Sequence, residues 1–321
     1  MINRRQFLGA ASAFAVAGTP LRAQASLQVV ATTGMIADTA KVIGGDLVQV
    51  AGMMGSGIDP HSYRQTRSDI VDMVRADLTL WHGLYLEAQM EEFFAALDRK
   101  RAVTPVAEAV PVALRLAHED YQNRFDPHVW MDPSLWIYVA REIGRTMGDQ
   151  VPEHAQALQQ RAEDYVAELT ALRAYADDVL STVPQEARVL VSAHDAFRYF
   201  GRAFGYEVLG VQGISTESEA GLNRIGQLVD VLVQRQVGAV FIESSVSERN
   251  VRALIEGAAA RGHEVRIGGQ LFSDAMGPAG TYEGTYLGMI DYNVTQIARA
   301  LGGTAPDRGY RGKLQQEGSN A

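Results

Sequence analysis

The chain has 321 residues, 47% of them hydrophobic and 21% charged, with a formal net charge of −9 and no cysteine. Such a composition excludes a disordered or membrane-embedded protein, and the length suits two lobes of roughly 120 to 150 residues. The missing cysteine rules out disulfides, thiolate zinc sites, Fe–S clusters and a thiol nucleophile, while the acidic balance argues against nucleic acid or an anionic membrane surface as partner.

The first 25 residues stand apart from the fold. "MINRRQFLGAASAFAVAGTPLRAQA" runs from a basic start through an apolar stretch, Phe7 to Gly18, to the small-residue exit Ala23-Gln24-Ala25. This is the pattern of a secretory signal peptide cut before Ser26, too short to remain as a membrane anchor. Arg4-Arg5 ahead of Gln6-Phe7-Leu8 resembles a twin-arginine export address, with an ordinary Sec signal as the alternative. The segment carries three arginines and no acid, so its removal takes the net charge to −12. With no cysteine to carry a lipid, the expected product is soluble in a periplasm.

Residues 26–150 read as an α/β lobe. "LQVVATTG", "LVQVAGMMG" and "ADLTLWHG" are buried strands ending in glycine, with the amphipathic helices "MIADTAKVIGG" and "RSDIVDMVRA" between them. Strand, helix, strand in repetition predicts a parallel sheet with helical crossovers. Residues 151–183 change character. Leu158, Ala162, Tyr165, Leu169, Leu172, Ala176 and Val179 recur at steps of four and three with no glycine or proline among them, which predicts one linking helix about 40 Å long. Pro152 suits its first turn and Pro184 its exit. Residues 184–321 resume the alternation: strands in "RVLVSAH", "YEVLGVQGI", "GAVFIESS" and "HEVRIGGQLF", helices in "LNRIGQLVDVLVQRQ" and "RNVRALIEGAAARG". The expected architecture is two parallel-sheet α/β lobes joined by one long rigid helix, which leaves little room for wide hinging.

In open parallel sheets, ligands bind beyond the carboxyl ends of the strands. That rule sorts the seven histidines. His61 lies in the glycine-rich loop "GIDPHSY", His128 in "RFDPHVW", and His194 ends the strand "RVLVSAH"; His82, ending "LWHG", is the one rival. His118 and His154 stand in polar surroundings, and His263 lies where loops lead away from that edge. Two histidines share the tripeptide Asp-Pro-His, in which proline stiffens the loop and Asp59 or Asp126 can hold the loop or a ligand ring. Imidazole nitrogens suit zinc, manganese or iron, and three of them with one carboxylate make a closed four-ligand shell. Asp274, just after an apolar strand in "GGQLFSDAMGPAGTYEGTYLGM", is the expected fourth ligand, a turn or helix cap being its bland alternative. Glu243 in "FIESS" either supports a ligand or caps a helix. Glu87, Trp81, Trp130, Trp136 and Phe197 are expected to pack, and Asp195 to cap.

"GIDPHSYRQTRSDI", "ADLTLWHGLYLE", "DPHVWMDP", "VSAHDAFRYFGRAFGYEVLGVQGISTESE", "AVFIESSVS" and "LFSDAMGPAGTYEGTYLGMI" together resemble the cluster A-I solute receptors of ABC transporters, which bind zinc or manganese. The motifs follow the family's order over nearly all of the chain beyond residue 25. The resemblance implies two α/β lobes bridged by a rigid helix, with a metal between them held at His61, His128, His194 and Asp274. His194, where manganese members often carry Glu, leans toward zinc by ligand softness. The absence of a long His-rich loop before the second Asp-Pro-His, where "LRLAHEDYQNRF" has only His118, leans toward manganese. Zinc and manganese stand level, and iron third.

The expected function is capture of a divalent metal in the periplasm and its delivery to the membrane permease of an ABC importer. A monomer is expected, and a periplasmic metallochaperone is a second conceivable partner. Handover is expected to involve the glycine-containing segment around Asp274. A secreted metal-dependent hydrolase is the alternative, but it needs an open coordination position and a base, and no HExxH or GxSxG motif is present. No enzymatic activity is expected.

Overall fold

The computed structural model describes residues 26–119, 121–218 and 220–315. The expected export signal, residues 1–25, lies outside them. Among the described residues no helix is long and apolar enough to cross a membrane.

The first lobe is built on four parallel strands, β1 (Leu27–Ala31), β2 (Val48–Gly52), β3 (Leu78–Trp81) and β4 (Ala102–Pro105), in the order β2-β1-β3-β4. β1 buries all of its residues but Gln28, as a strand covered on both faces must. Helix α1 (Gly34–Gly44) lays Met35, Ile36, Ala40 and Ile43 into the core. Helix α2 (Arg67–Arg75) starts from a capping box: Thr66 Oγ1 accepts from Asp69 N at 3.3 Å, and the Asp69 carboxylate accepts from Thr66 N at 2.7 Å. After the short α3 (Glu91–Leu97), helix α4 (Pro133–Gln150) begins with Pro133 in its first turn and Asp132 as its cap, accepting from Ser134 N at 2.9 Å.

The linking helix α5 (Ala155–Ser181) follows a 3-10 turn at Pro152–His154. Its 27 residues span about 40 Å, and every apolar position of the expected stripe is buried. It packs on α4 and α1 of the first lobe and on α9 (Tyr286–Ala300) of the second. The close approach of α4 to α5 depends on Gly144, where a Cβ would stand 2.8 Å from the Ala162 methyl. Arg173, on α5, donates to Asp132 at 3.0 Å and so ties the linking helix to the α4 cap.

The second lobe contains β5 (Val189–Ser192) paired with β6 (Glu207–Gly210), and β7 (Ala239–Glu243) paired with β8 (Arg266–Leu271), all in parallel. The lobe's strands thus form two hydrogen-bonded pairs, with β5 running alongside β7. Helices α6 (Arg198–Phe204), α7 (Leu222–Gln234) and α8 (Arg249–Ala259) complete it. One hydrophobic cluster runs from β1 and α1 through α4 and α5 to α6 and α9, so the linking helix shares a core with both lobes. A second cluster packs α7 and α8 on β5 and β7, and a third packs α2 and α3 beneath the first sheet.

Candidate metal centre

The loops at the carboxyl ends of the strands converge on one point between the lobes. The loop after β2 carries His61, the segment leading into α4 carries His128, the end of β5 carries His194 and the turn after β8 carries Asp274. All four are buried, at 4%, 0%, 0% and 2% exposure. One donor atom from each lies within 4.8 Å of all the others. The Nε2 atoms of His61 and His128 are 3.3 Å apart, and Asp274 approaches the Nε2 of His194 at 3.1 Å, of His128 at 3.4 Å and of His61 at 3.9 Å. Donors held tetrahedrally about 2.0–2.1 Å from one ion stand about 3.3 Å from each other. His194 Nε2 and both Asp274 oxygens are buried without a hydrogen-bond partner. Buried polar atoms are nearly always satisfied, so four converging donors of this kind fit a cation.

Carboxylates hold two of the rings from behind. Asp126 Oδ1 accepts both the backbone N–H of His128, at 3.0 Å, and its Nδ1–H, at 2.7 Å. Glu243, at the end of β7, accepts the His194 N–H at 2.9 Å through Oε1 and the ring Nδ1–H through Oε2. In each case the bond fixes the tautomer and leaves Nε2 facing the centre. His61 is placed differently: Asp59 Oδ1 accepts its backbone N–H at 2.9 Å but makes no ion pair with its ring among the described residues.

Electrostatics separates the three histidines in the same way. Burial pushes His61 down to about 3, and the nearby Asp274 offsets only part of this. Burial acts likewise on His128, but Asp126 and Asp274 outweigh it and raise the ring to about 9. For His194 burial is outweighed by Asp274 and Glu243, and the ring lies well above its usual value. Burial would raise Asp274, yet the facing imidazoles hold it well below the carboxylate range. The carboxylates thus set His128 and His194 above the ordinary imidazole range, and burial sets His61 below it.

Residues 29–300 match the family model of the periplasmic zinc-uptake complex component A, ZnuA. The chain belongs to the ZnuA family. It is 45% identical over 279 residues to the manganese-binding lipoprotein MntA of Bacillus subtilis, covering 87% of this chain and 91% of that one. It is 46% identical over 273 residues to the zinc-binding protein TroA of Treponema pallidum, covering 85% and 88%. The solved structure of that periplasmic TroA superposes with a TM-score of 0.84, over 86% of this chain and 99% of its own. The ZnuA-family fold, α/β with parallel sheets and one long helix, is the one read from the sequence.

The structure brings together the four residues singled out in the sequence and sets His82, the rival, behind them. His82 Nε2 lies 2.7 Å from the Pro127 carbonyl, its ring packs edge-on to Trp130, and burial pushes it down to about 3. A neutral ring must donate this bond from Nε2, so His82 braces the second Asp-Pro-His loop. Glu87 is more than a packing residue: it accepts from Thr32 Oγ1 at 2.6 Å and from the N–H groups of His82 and Gly83 at 2.8 and 3.2 Å, joining the ends of β1 and β3. Asp195 caps no helix; α6 starts at Arg198 without a side-chain cap, and Asp195 faces Arg198 at 3.8 Å. Trp130 is buried and also donates to the Ser273 carbonyl at 2.8 Å, which anchors the residue before Asp274. His118, His154 and His263 lie outside the cluster.

Proposed function

We propose that His61, His128, His194 and Asp274 together hold one divalent transition-metal ion, zinc or manganese, as the cargo of a solute-binding protein. The protein captures the ion outside the cytoplasm as a monomer and delivers it to the membrane permease of an ABC importer. The observation that carries this reading is the cluster of four buried donors with unpartnered His194 Nε2 and Asp274 oxygens. The relatives support it, since MntA is named for manganese and TroA for zinc, and the ligand set of three imidazoles and one carboxylate suits both ions. Export is supported by the pattern of residues 1–25. Although MntA is a lipoprotein, the 321 residues here offer no cysteine for such an anchor.

The reading involves no catalysis. Four protein donors fill a tetrahedral shell, whereas a metallohydrolase keeps a position for water. One equivalent of zinc or manganese is expected to raise the melting temperature, and His61→Ala to abolish most of that rise. Differential scanning calorimetry of the chelated and reloaded protein checks this; an identical melting temperature with and without either metal contradicts the reading. Elemental analysis of protein taken from its native compartment, followed by competition between the two ions, then identifies the cargo.

A further inference from the structure

The two Asp-Pro-His loops share a turn and then part. In each, the aspartate accepts the N–H of the histidine two residues on, at 2.9 Å from Asp59 and 3.0 Å from Asp126. Asp126 adds a bond to its own histidine ring. Asp59 instead turns its second oxygen across the cleft, where it accepts from Thr216 Oγ1 at 2.6 Å and, within its own loop, from Ser62 Oγ at 3.0 Å. Thr216 belongs to the second lobe, in the loop after β6, and is half-buried. Its neighbour Glu217 reaches the first lobe too, accepting from Gln89 Nε2 at 2.7 Å. Earlier in the same loop, Ser56 Oγ donates to the Met276 carbonyl at 3.0 Å. The run leading into His61 is thus fastened to the opposite lobe at two points, Ser56 and Asp59, while residues 55–58 are exposed.

The Asp274 segment has less freedom than its glycines suggest. Ser273 is held by Trp130, and the N–H and carbonyl of Phe272 are both bonded to the Asn293 side chain, at 2.9 and 2.7 Å. A Cβ on Gly284 would stand 2.2 Å from the Pro278 carbonyl oxygen, and one on Gly288 1.8 Å from that of Tyr282. These glycines permit close packing. Of the three histidines, His61 is the one whose ring no carboxylate among the described residues holds from behind, so its position depends on the hold on its loop.

We infer that Thr216 is a positioning residue for metal capture: through Asp59 its hydroxyl holds the His61 loop closed from the opposite lobe and sets the rate at which the ion leaves. The inference rests on the four-ligand reading above and assigns the closing contact of that site. Losing one hydrogen bond to a carboxylate in this setting is expected to speed release about tenfold.

The test is zinc release from the full chain, loaded with one equivalent and chased with excess chelator in a stopped-flow instrument. Thr216→Val, which keeps the shape without the hydroxyl, is expected to release zinc about tenfold faster than the parent chain, and Thr216→Ser to stay within about twofold of it. Thr216→Ala removes the same hydroxyl with less bulk and is expected to match the valine variant. Release from the valine and alanine variants at the parental rate overturns the inference and leaves the metal-binding reading standing. A serine variant as fast as valine also overturns it, because the hydroxyl would then not matter. A parent chain that retains neither zinc nor, in a parallel loading, manganese removes the reading itself.

Discussion

At the scale of single residues, the site is a set of donors whose protons compete with the metal. Asp126 and Asp274 raise His128 to about 9, and Asp274 and Glu243 raise His194 well above its usual value. A metal must displace any proton these rings hold at Nε2, so affinity rises with pH from 6 toward 9, by up to about tenfold per unit for each proton released. Glu243 contributes to the high basicity of His194 and holds its ring in place. Glu243→Gln is therefore expected to weaken zinc binding about 10- to 100-fold at pH 8 and to flatten its pH dependence. Calorimetric titration at several pH values measures both; an unchanged slope would show that Glu243 does not act through the ring. The four inward donors were legible because tripeptides and strand ends announce them. Their supports were legible only in part: Asp126 stands in the tripeptide itself, whereas Glu243 in the sequence reads equally as a ligand support or a helix cap. Glu243 is 49 residues from His194, and the contact exists only because β5 and β7 lie side by side. His82 has the strand-end position of a ligand, and only the Pro127 carbonyl opposite its Nε2 shows that it braces a loop.

At the scale of elements, legibility followed exposure. The linking helix α5 has one apolar stripe and a polar remainder, so its period stands out, and every strand flanked by glycine was found. The helices α4 and α9 are not evident from the sequence pattern. Each buries ten residues, because both sit between other layers: α4 packs on α1 and α5, and α9 on α5 and β8. β4 is four half-buried residues ending in proline, too short to show alternation. The packing that results is testable through glycine. Gly144→Val forces a side chain against Ala162 and wedges α4 from α5, with an expected cost of about 1–3 kcal/mol in urea denaturation. Gly226→Ala, in α7 where a Cβ meets nothing within 4 Å, is expected to stabilise by up to about 1 kcal/mol. Equal and small effects at both positions would contradict the close α4–α5 contact.

At the scale of the whole molecule, the linking helix is part of a core that continues into both lobes. Wide separation of the lobes would expose the buried faces of α5, each large apolar side chain costing about 1.5–3 kcal/mol, so exchange of the ion falls to the loops at the cleft. The position of that cleft was legible from the strand and helix alternation, because parallel strands in both lobes send the loops after their carboxyl ends to one site. The central claim is that one ion sits where His61, His128, His194 and Asp274 converge. Anomalous X-ray scattering at the metal edge from crystals of the reloaded full chain tests it most directly. The account predicts a single strong peak about 2.0–2.2 Å from the Nε2 atoms of the three histidines and from the Asp274 carboxylate. A peak elsewhere, or none at this position in a protein that carries one equivalent of metal, would contradict it.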